Sequence, residues 1–327
     1  MFAPATVPRP SWSESVDPRF AQDVADGLMR PRKTLPASWL YDEVGSALFE
    51  VITVLPEYGL TRADDALLRR YAKDIIAAAG EPELIVELGS GTGTKTRHVL
   101  EAAAQWKRVD YLPIDISSSA LGNCESALRS LERVSVNPIE DSYLPGLERA
   151  FARRRSGARV LALFLGSTIG NFTRSGATDL LRCIRGLAAS GDCLLLGTDL
   201  VKPRHRLIEA YDDPLGVTAS FNLNLLARIN RELGGEFELS TFAHVARYNE
   251  REARVEMHLR SRIAQEVEIE ALDLTVAFRR GETIWTESSH KFRPDDVGRM
   301  AGQAGWTTRH RWIDGDWGFA ETLFACP

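Results

Sequence analysis

Leu84-Ile-Val-Glu-Leu-Gly-Ser-Gly-Thr-Gly93 is the stretch of this 327-residue chain that decides its fold class. Residues 84–88 form a short, mostly apolar run, which is typical of a strand buried on both faces. Glycines at alternate positions follow, and apolar residues then recur at helical spacing over residues 94–104. A glycine cluster between a buried strand and a helix lets backbone N–H groups approach a ligand at the carboxyl edge of a sheet. The stretch therefore predicts an α/β fold with a nucleotide-type ligand.

The same alternation of buried strands and helices extends along most of the chain. The pattern predicts further strands at residues 109–116, 134–139, 160–165, 194–200, 307–313 and 319–325. It predicts further helices at residues 20–29, 39–55, 62–79, 117–131 and 294–304. Apolar strands separated by helices indicate a mostly parallel sheet with helices on both faces.

Residues 201–284 interrupt this alternation. Helical spacing at 206–211 and 222–233 is followed by strand-like segments at 242–248, 254–263 and 265–278. We therefore expect a nucleotide-binding core of residues 62–200 and 290–327. Residues 1–61 and 201–289 would form a second, smaller α+β lobe.

Composition limits the function classes. The chain is 44% hydrophobic and 26% charged, with a formal net charge of −5, which is ordinary for a globular protein and argues against a nucleic-acid partner. The four cysteines have no Cys-x-x-Cys spacing, so we expect reduced thiols and no metal site.

The expected location is the cytoplasm. Residues 1–17 contain Pro4, Pro8 and Pro10 and no apolar segment of the kind that a signal peptide needs. No apolar run approaches the length that crosses a membrane. We expect no membrane contact and a monomeric protein.

The spacing of the glycines discriminates between nucleotide ligands. A dinucleotide fingerprint needs a sixth-position glycine or alanine, but that position, counted from Gly89, is Thr94. A phosphate-binding P-loop needs Gly-Lys-Ser/Thr at its end, which is absent. The pattern Glu-x-Gly-x-Gly-x-Gly resembles motif I of Rossmann-like methyltransferases. That resemblance implies S-adenosylmethionine as the cofactor, with Gly89 and Gly91 in its binding loop; a tight turn without ligand is the alternative.

Asp115 stands at the end of the second predicted strand, in Tyr111-Leu-Pro-Ile-Asp-Ile116. An acidic residue at this place in a nucleotide-binding fold can accept hydrogen bonds from both ribose hydroxyls. Taken alone it would more often cap a helix. Together with the glycine loop, the ribose role is favoured.

Several further segments resemble the histidine-specific methyltransferase family, which trimethylates the α-amine of histidine in ergothioneine biosynthesis. They run in family order: Trp39-Leu-Tyr-Asp-Glu-Val-Gly-Ser46, Leu55-Pro-Glu-Tyr58 with Thr61-Arg62, Leu165-Gly-Ser-Thr-Ile-Gly-Asn171, Ala210-Tyr-Asp-Asp213 with Thr218-Ala-Ser-Phe-Asn222, Val255-Glu-Met257 and Thr286-Glu-Ser-Ser-His-Lys-Phe292. The resemblance implies a class I methyltransferase core with a mostly parallel seven-stranded sheet. It also makes the smaller lobe the substrate-binding one.

The resemblance assigns roles to single residues. It adds Lys95 to the cofactor loop, gives Tyr41 and Tyr58 the amine and methyl-transfer region, and gives Asn171 and Tyr211 the α-amino and carboxylate ends of the substrate. The residues that it places around the imidazole are Met257, Glu287 and Ser289. Each type has a plain structural alternative, such as core packing for Met257.

The chemistry accounts for these residue types. Transfer of a methyl group from a sulfonium is a displacement, so catalysis is mainly alignment, and the amine must first lose a proton. A Tyr hydroxyl or a water is a candidate acceptor for that proton. Glu287 can accept a hydrogen bond from an imidazole N–H, and Ser289 can bond to the other ring nitrogen. A site that pairs both nitrogens disfavours side chains that leave those groups unpaired.

Two departures from the family pattern stand out. The third strand leads to Glu140-Asp-Ser-Tyr143, where the family has an acidic residue directly before an aromatic one near the adenine. Asp141 and Tyr143 are the candidates for that contact. Gly59 replaces a second aromatic residue after Tyr58, which predicts a wider opening there.

Three other functions remain open. An α-N-methyltransferase of tryptophan or another aromatic amino acid would keep the reaction and change the substrate. A non-catalytic cofactor-binding module would keep the fold alone. A nucleic-acid methyltransferase is disfavoured by the acidic balance and by Gly166-Ser-Thr-Ile-Gly-Asn171, which stands where such enzymes carry Asn/Asp-Pro-Pro-Tyr.

Overall fold

The computed structural model describes residues 17–327. The prediction that the chain starts without a signal peptide concerns residues 1–17, and so falls outside the described residues except at Asp17. Over the described part the chain forms two compact units. The first comprises the described part of Met1–Phe49 with Tyr211–Arg247 and Glu256–Glu287, and the second comprises Glu50–Ala210, Tyr248–Val255 and Ser288–Pro327. The predicted division into a cofactor-binding core and a substrate-binding lobe stays a prediction.

The described residues form ten α-helices and thirteen strands. The helices are α1 (Pro18–Leu28), α2 (Glu43–Val54), α3 (Gly59–Ala78), α4 (Thr96–Ala104), α5 (Ser118–Leu128), α6 (Tyr143–Phe151), α7 (Arg174–Leu187), α8 (Arg204–Glu209), α9 (Val217–Leu233) and α10 (Pro294–Gln303). The strands are β1 (Leu84–Leu88), β2 (Val109–Asp115), β3 (Val134–Val136), β4 (Ile139–Glu140), β5 (Val160–Phe164), β6 (Cys193–Asp199), β7 (Phe242–Asn249), β8 (Arg254–Ser261), β9 (Gln265–Ile269), β10 (Leu274–Phe278), β11 (Thr283–His290), β12 (Thr307–Asp314) and β13 (Phe319–Ala325).

The second unit is built on one sheet with the order β12-β13-β6-β5-β1-β2-β3. Strands β1, β2, β3, β5 and β6 pair in parallel, and β13 lies antiparallel between β6 and β12. The eighth strand, β4, pairs with β2 beyond β3, because Pro138 lacks the N–H that a continuous strand needs there. The predicted α/β class is confirmed, with a mostly parallel sheet of seven strands in continuous order and β4 as an eighth strand beside β2.

The core of this unit lies on both faces of the sheet. Alternate residues of β1 belong to different clusters: Leu84, Val86 and Leu88 pack with α6, α7 and α10, and Ile85 packs with α3, α4 and α5. Each fully buried side chain of this size contributes about 1.5–3 kcal/mol. Burial on both faces explains why β1 is apolar without alternation.

The first unit contains the antiparallel pair β10-β9 and most of a three-stranded sheet with the order β11-β8-β7. The predicted strand-like segment 265–278 is therefore a hairpin, turned by the short 3₁₀ helix Glu270–Leu272. Helix α9 begins where the Asp213 carboxylate accepts hydrogen bonds from the N–H groups of Val217 and Thr218, which satisfies backbone donors that a helix start leaves open.

No prediction covered α6, α7 or β11, although most other elements lie where the pattern placed them. All four cysteines are free thiols, and Cys183 alone among them is exposed. Across residues 17–327, helices with the length and apolarity needed to cross a membrane are absent.

Candidate functional site

The glycine loop joins β1 to α4 through three left-handed residues. Gly89, Gly91 and Gly93 have φ of +66°, +51° and +69°, a region that residues with a Cβ enter at a cost of about 1–2 kcal/mol. A Cβ on Gly93 would lie 2.5 Å from the Sγ of Cys124. The glycines are therefore required by backbone conformation, and Gly93 also by packing.

Gly91 differs from its neighbours because it faces open space. A Cβ added there would meet no atom within 4 Å. Its N–H donates to Oδ2 of Asp115 at 3.0 Å, and Oδ1 accepts from the N–H of Ser117. A carboxylate has about four lone-pair sites, so Asp115 retains acceptor capacity for the hydroxyls of a bound ribose.

Tyr143 lies against the same loop. Its hydroxyl is 3.2 Å from the position that a Cβ on Gly89 would take, and its ring packs edge-on to Phe164 at 5.6 Å. Burial, with Asp115 second, raises the pKa of this phenol above its usual range. Tyr143 is therefore a neutral aromatic group beside the glycine loop.

Asp141 is held at the start of α6. Its carboxylate accepts from the N–H of Ser142 at 2.8 Å and from Arg149 at 3.0 Å. The hydrogen bond from Arg149 is the main cause that lowers the pKa of Asp141. Asp141 is thus an ionised acceptor, and its predicted contact with adenine stays a prediction.

Buried acidic groups lie behind the loop. Both oxygens of Glu87 are 2.8 Å from the Thr96 hydroxyl, and Tyr111 donates a short hydrogen bond to Oε2. Burial raises the pKa of Glu87 to about 7, although the bonds from Tyr111 and Thr96 oppose the shift. The carboxyl group of Glu87 is therefore internal, and it ties β1 to β2 and α4.

Lys95 joins this group through Asp64 of α3. Its Nζ lies 2.5 Å from Oδ2 of Asp64, which also accepts from the N–H of Gly166 at 3.0 Å. Burial acts to lower the pKa of Lys95, but Asp64, Glu87 and Glu321 outweigh it and raise that pKa. Burial and Asp64 raise the pKa of Glu321 well above its ordinary value, which favours the protonated form of Glu321 beside the ionised Asp64.

Asn171 ends a short 3₁₀ helix, Thr168–Asn171, that follows β5. The chain turns into it through Gly166 and Ser167, with φ of +67° and +57°. Ser167 Oγ accepts from the N–H of Asp199 at 2.9 Å, and His290 bonds to the carbonyl of Gly170 at 3.0 Å. These contacts fix the backbone that presents Asn171.

Tyr58 lies in the turn between α2 and α3 and is 7% exposed. The guanidinium of Arg62 donates to the carbonyls of Leu55 and Pro56, both at 2.6 Å, which closes the turn. The next residue, Gly59, does not widen an opening as predicted. A Cβ there would lie 2.3 Å from the Trp317 ring, so an indole from the β12–β13 turn fills the space.

Ser289 lies near the end of β11 and is 4% exposed. Lys291 donates to its hydroxyl at 2.9 Å and pairs with Asp199 at 2.9 Å. Asp199 also accepts from Lys202 and from the indole N–H of Trp317. Burial acts to raise the pKa of Asp199, but the two lysines outweigh it and lower that pKa.

The other predicted substrate residues belong to the first unit. The Tyr41 ring packs edge-on against Phe49 and Phe221, with centroids 5.4 and 5.5 Å away. Tyr211 and Met257 are 7% and 1% exposed, and Glu287 is half-buried in β11. The roles of Tyr41, Tyr211, Met257 and Glu287 stay predictions.

The structure brings together one predicted group by direct contact, namely Gly89, Gly91, Asp115 and Tyr143. These residues fit a nucleoside-bearing cofactor, because Gly91 faces open space and Asp115 has spare acceptor capacity. Asp64, Glu321 and Trp317 were not predicted from the sequence. A charge within an apolar helical or strand pattern was an available signal for the two acids.

Comparison with known proteins identifies the family. Residues 20–326 match the family described as histidine-specific methyltransferase, SAM-dependent. The histidine N-alpha-methyltransferase of Mycolicibacterium smegmatis is 43% identical over 94% of this chain and 96% of its own length. Its namesake from Mycobacterium tuberculosis is 45% identical over 91% and 93%.

A third relative shares part of the chain. The ergothioneine biosynthesis protein 1 of Neurospora crassa is 33% identical over 63% of this chain, which corresponds to 24% of that longer protein. The family match covers nearly the whole chain, and two relatives exceed 40% identity over more than nine-tenths of it. The chain therefore belongs to the histidine-specific, S-adenosylmethionine-dependent methyltransferase family.

Proposed function

We propose that this enzyme methylates the α-amino group of L-histidine in three successive transfers, giving N,N,N-trimethylhistidine (hercynine) for ergothioneine biosynthesis. The observation that carries the proposal is the near full-length similarity to two proteins named histidine N-alpha-methyltransferase. The similarity to a fungal ergothioneine biosynthesis protein supports the pathway. A monomeric state and a cytoplasmic location are parts of the proposal.

S-adenosylmethionine, when bound, supplies an electrophilic methyl group on a sulfonium. The residues proposed to hold it are Gly89, Gly91, Lys95, Asp115, Asp141 and Tyr143. Asp115 suits ribose hydroxyls because an ionised carboxylate accepts hydrogen bonds only. Lys95 is held by Asp64 at 2.5 Å, so its charge is fixed in place beside the loop.

The chain's own residues would orient the amine and remove its proton. Asn171 and Tyr211 would hold the α-amino and carboxylate ends, which aligns the amine lone pair for displacement. Tyr41 and Tyr58 would line the methyl-transfer region. The α-ammonium would release its proton to a water, either directly or through the hydroxyl of Tyr41 or Tyr58, which would accept that proton as it donates its own.

Recognition of the imidazole is proposed for Met257, Glu287 and Ser289. A hydroxyl that accepts a hydrogen bond from an ammonium group becomes a better donor itself, and Lys291 donates to Ser289. Ser289 would thus donate to the unprotonated ring nitrogen. Glu287 would accept from the ring N–H, so a neutral imidazole would have both nitrogens paired.

A direct test incubates the purified protein with S-adenosylmethionine and, separately, with histidine, tryptophan and tyrosine. Mass spectrometry is expected to show mono-, di- and trimethylated histidine. Methylation of tryptophan alone would replace histidine by the rival substrate. Cofactor binding without methylation of any amino acid would favour the non-catalytic alternative.

Glu287→Ala tests the imidazole contact. The substitution is expected to raise the KM for histidine about tenfold, because a charged acceptor is worth about 1.5–3 kcal/mol, and to leave the Kd for S-adenosylmethionine unchanged. Glu268→Ala is the matched control, since Glu268 lies exposed on β9 of the same unit. Equal losses of histidine and cofactor affinity would remove Glu287 from the imidazole site.

A further inference from the structure

A chain of hydrogen bonds between uncharged groups in the first unit reaches the backbone of residues that are proposed to contact the substrate. His244 Nε2 lies 2.7 Å from the carbonyl oxygen of Tyr211, and its Nδ1 lies 2.9 Å from Nδ2 of Asn222. Oδ1 of Asn222 accepts from the hydroxyl of Thr286 at 2.7 Å. We call His244, Asn222 and Thr286 the His244 network.

Donors and acceptors in this network admit one consistent arrangement. The carbonyl of Tyr211 can only accept, so His244 carries its proton on Nε2 and presents a lone pair at Nδ1. Nδ2 of Asn222 therefore donates to His244, and it also donates to the carbonyl of His258 at 3.2 Å. A flipped amide would set Oδ1 of Asn222 against that carbonyl oxygen, which excludes the opposite orientation.

Burial makes the arrangement sensitive to any lost partner. Asn222 is 0% exposed and Thr286 is 1% exposed. A buried polar atom that loses its partner costs about 1–3 kcal/mol, so the three side chains hold one another in a single geometry. They belong to different elements: Asn222 to α9, His244 to β7 and Thr286 to β11.

The network ends on the backbone of positions that matter for the substrate. One end is the carbonyl of Tyr211, and the hydroxyl of Thr286 at the other end also lies 3.1 Å from the carbonyl of Met257. Thr286 directly precedes Glu287. The backbones at Tyr211, Met257 and Glu287 are therefore linked through His244 and Asn222.

We propose that His244 is a positioning residue for recognition of the amino-acid substrate, acting through Asn222 and Thr286 on the backbones of Tyr211, Met257 and Glu287. This inference rests on the proposed function, because those residues are assigned to the substrate there. His244 itself does not touch the reacting atoms in this proposal. It sets the geometry of recognition and leaves cofactor binding alone.

The network requires a neutral His244. Burial lowers the pKa of His244, and the charges that face it, Asp212 and Asp213, act in the opposite direction. The neighbouring ring of His258 also has a pKa that burial lowers. Protonation of His244 would place a donor at Nδ1 opposite the Asn222 donor, so recognition is expected to weaken in acid.

Two substitutions at His244 separate positioning from packing. His244→Leu removes both ring nitrogens and is expected to raise the KM for histidine about tenfold, while kcat falls less and the Kd for S-adenosylmethionine stays unchanged; tenfold corresponds to about 1.4 kcal/mol. His244→Gln keeps one donor and one acceptor. It is expected to restore most of the lost histidine affinity.

The pH dependence gives a readout that packing alone would not move. Because burial lowers the pKa of His244 from its ordinary value of 6.5, the KM for histidine is expected to rise more steeply in the wild type than in His244→Gln only as pH falls below 6.5. The ionisation of the substrate is the same in both measurements and cancels. Parallel profiles for the two proteins would overturn the proposal.

Asn230→Leu is the matched control. Asn230 lies on the same helix as Asn222 and also bonds to backbone, but to Phe237, at 2.8 and 2.9 Å. It is expected to lower the melting temperature without changing the KM for histidine. Equal increases in KM for His244→Leu and Asn230→Leu would contradict the proposal.

A milder variant covers the case in which His244→Leu does not fold. Thr286→Val removes only the outer hydroxyl of the network and is expected to raise the KM for histidine by a smaller factor. If the wild type methylates another amino acid, the proposed function fails, and the same variants are judged on the KM for that acceptor. An unchanged KM in all of them would overturn the positioning role alone.

Discussion

Two buried polar regions, one in each unit, hold their polar groups in different chemical forms. Beside the glycine loop the second unit buries ionisable groups, among them Asp64, Glu87 and Glu321, with Lys95 as the paired cation. The first unit holds Tyr211 and Met257 with the uncharged side chains of the His244 network. Buried charges bind strongly and respond to pH, whereas hydrogen bonds between neutral groups are weaker and keep their strength at neutral and alkaline pH. Removing a single group from each of these two regions should therefore change the free energy of unfolding in different ways.

The largest expected effect is Asp64→Asn. The change keeps the volume but removes the charge that faces Lys95 and weakens the acceptor for the N–H of Gly166. Breaking a buried ion pair from one side costs about 3–5 kcal/mol; we expect about 3 kcal/mol because Lys95 is a quarter exposed. The measurement is the free energy of unfolding in urea.

Asp65→Asn controls for the substitution itself. Asp65 is the next residue and pairs with His98, but the two side chains are 32% and 26% exposed. A surface pair contributes about 0–1 kcal/mol. A loss at Asp65 as large as the loss at Asp64 would remove the distinction between the buried charged cluster and an ordinary surface.

Much of the charged cluster was visible in the sequence as an exception to a pattern. Asp64 falls on the apolar stripe of α3 with Leu60, Leu67 and Leu68, all buried. Glu321 lies within Phe319-Ala-Glu-Thr-Leu-Phe324, a strand buried at nearly every position. Periodicity shows that such a residue is buried, but it does not show that the two acids share Lys95.

Elements defined by local pattern were predicted well, and long-range ones were not. The bounds of β1 and β13 match their predictions, because both are uninterrupted buried strands. Helix α7 shows the stripe Ala177, Leu180 and Leu181 with Thr173 as its N-cap, so its pattern was available although no prediction used it. The contact of Gly59 with Trp317 could not be predicted from a local pattern, since the two residues lie 258 positions apart in the chain.

The predictions for the site also divide into those that follow from a local pattern and those that do not. The glycine loop and Asp115 follow from spacing, because both belong to one strand–helix–strand unit. The substrate residues came from the resemblance alone. Tyr211 lies in the turn after α8, whereas Met257 and Glu287 lie on β8 and β11. Each of these residue types is common in a core or on a surface.

The second expected effect is smaller and tests the neutral region. Thr286→Val removes the hydroxyl that donates to Asn222 and should lower the free energy of unfolding by about 1–2 kcal/mol, because Oδ1 of Asn222 loses its partner. The loss should be the same at neutral and alkaline pH, since neither group titrates there. Urea unfolding at two pH values gives both quantities.

Thr275→Val is the control for that variant. Thr275 lies exposed on β10 of the same unit, and a surface change of this kind is usually within about 0.5 kcal/mol. A loss in Thr286→Val that varies with pH would mean that the network contains an ionised group. The contrast between the two regions would then be wrong.

The smallest expected effect is a change in the slope of the free energy of unfolding plotted against pH. Glu321 has a pKa raised by burial and by Asp64, so the folded state holds a proton that the unfolded state releases above about pH 4.3. Such a group contributes stability at low pH that is lost as pH rises toward the folded pKa. Glu321→Gln replaces the protonated acid by an amide that also donates, and keeps its donor at every pH. The free energy of unfolding of the variant should equal that of the wild type near about pH 4.3, the pKa of Glu in the unfolded state. As pH rises from there, the variant should become the more stable protein. Glu268→Gln, at an exposed position of β9, should leave the slope unchanged, and equal slopes for Glu321→Gln and the wild type would show that Glu321 is ionised in the folded protein.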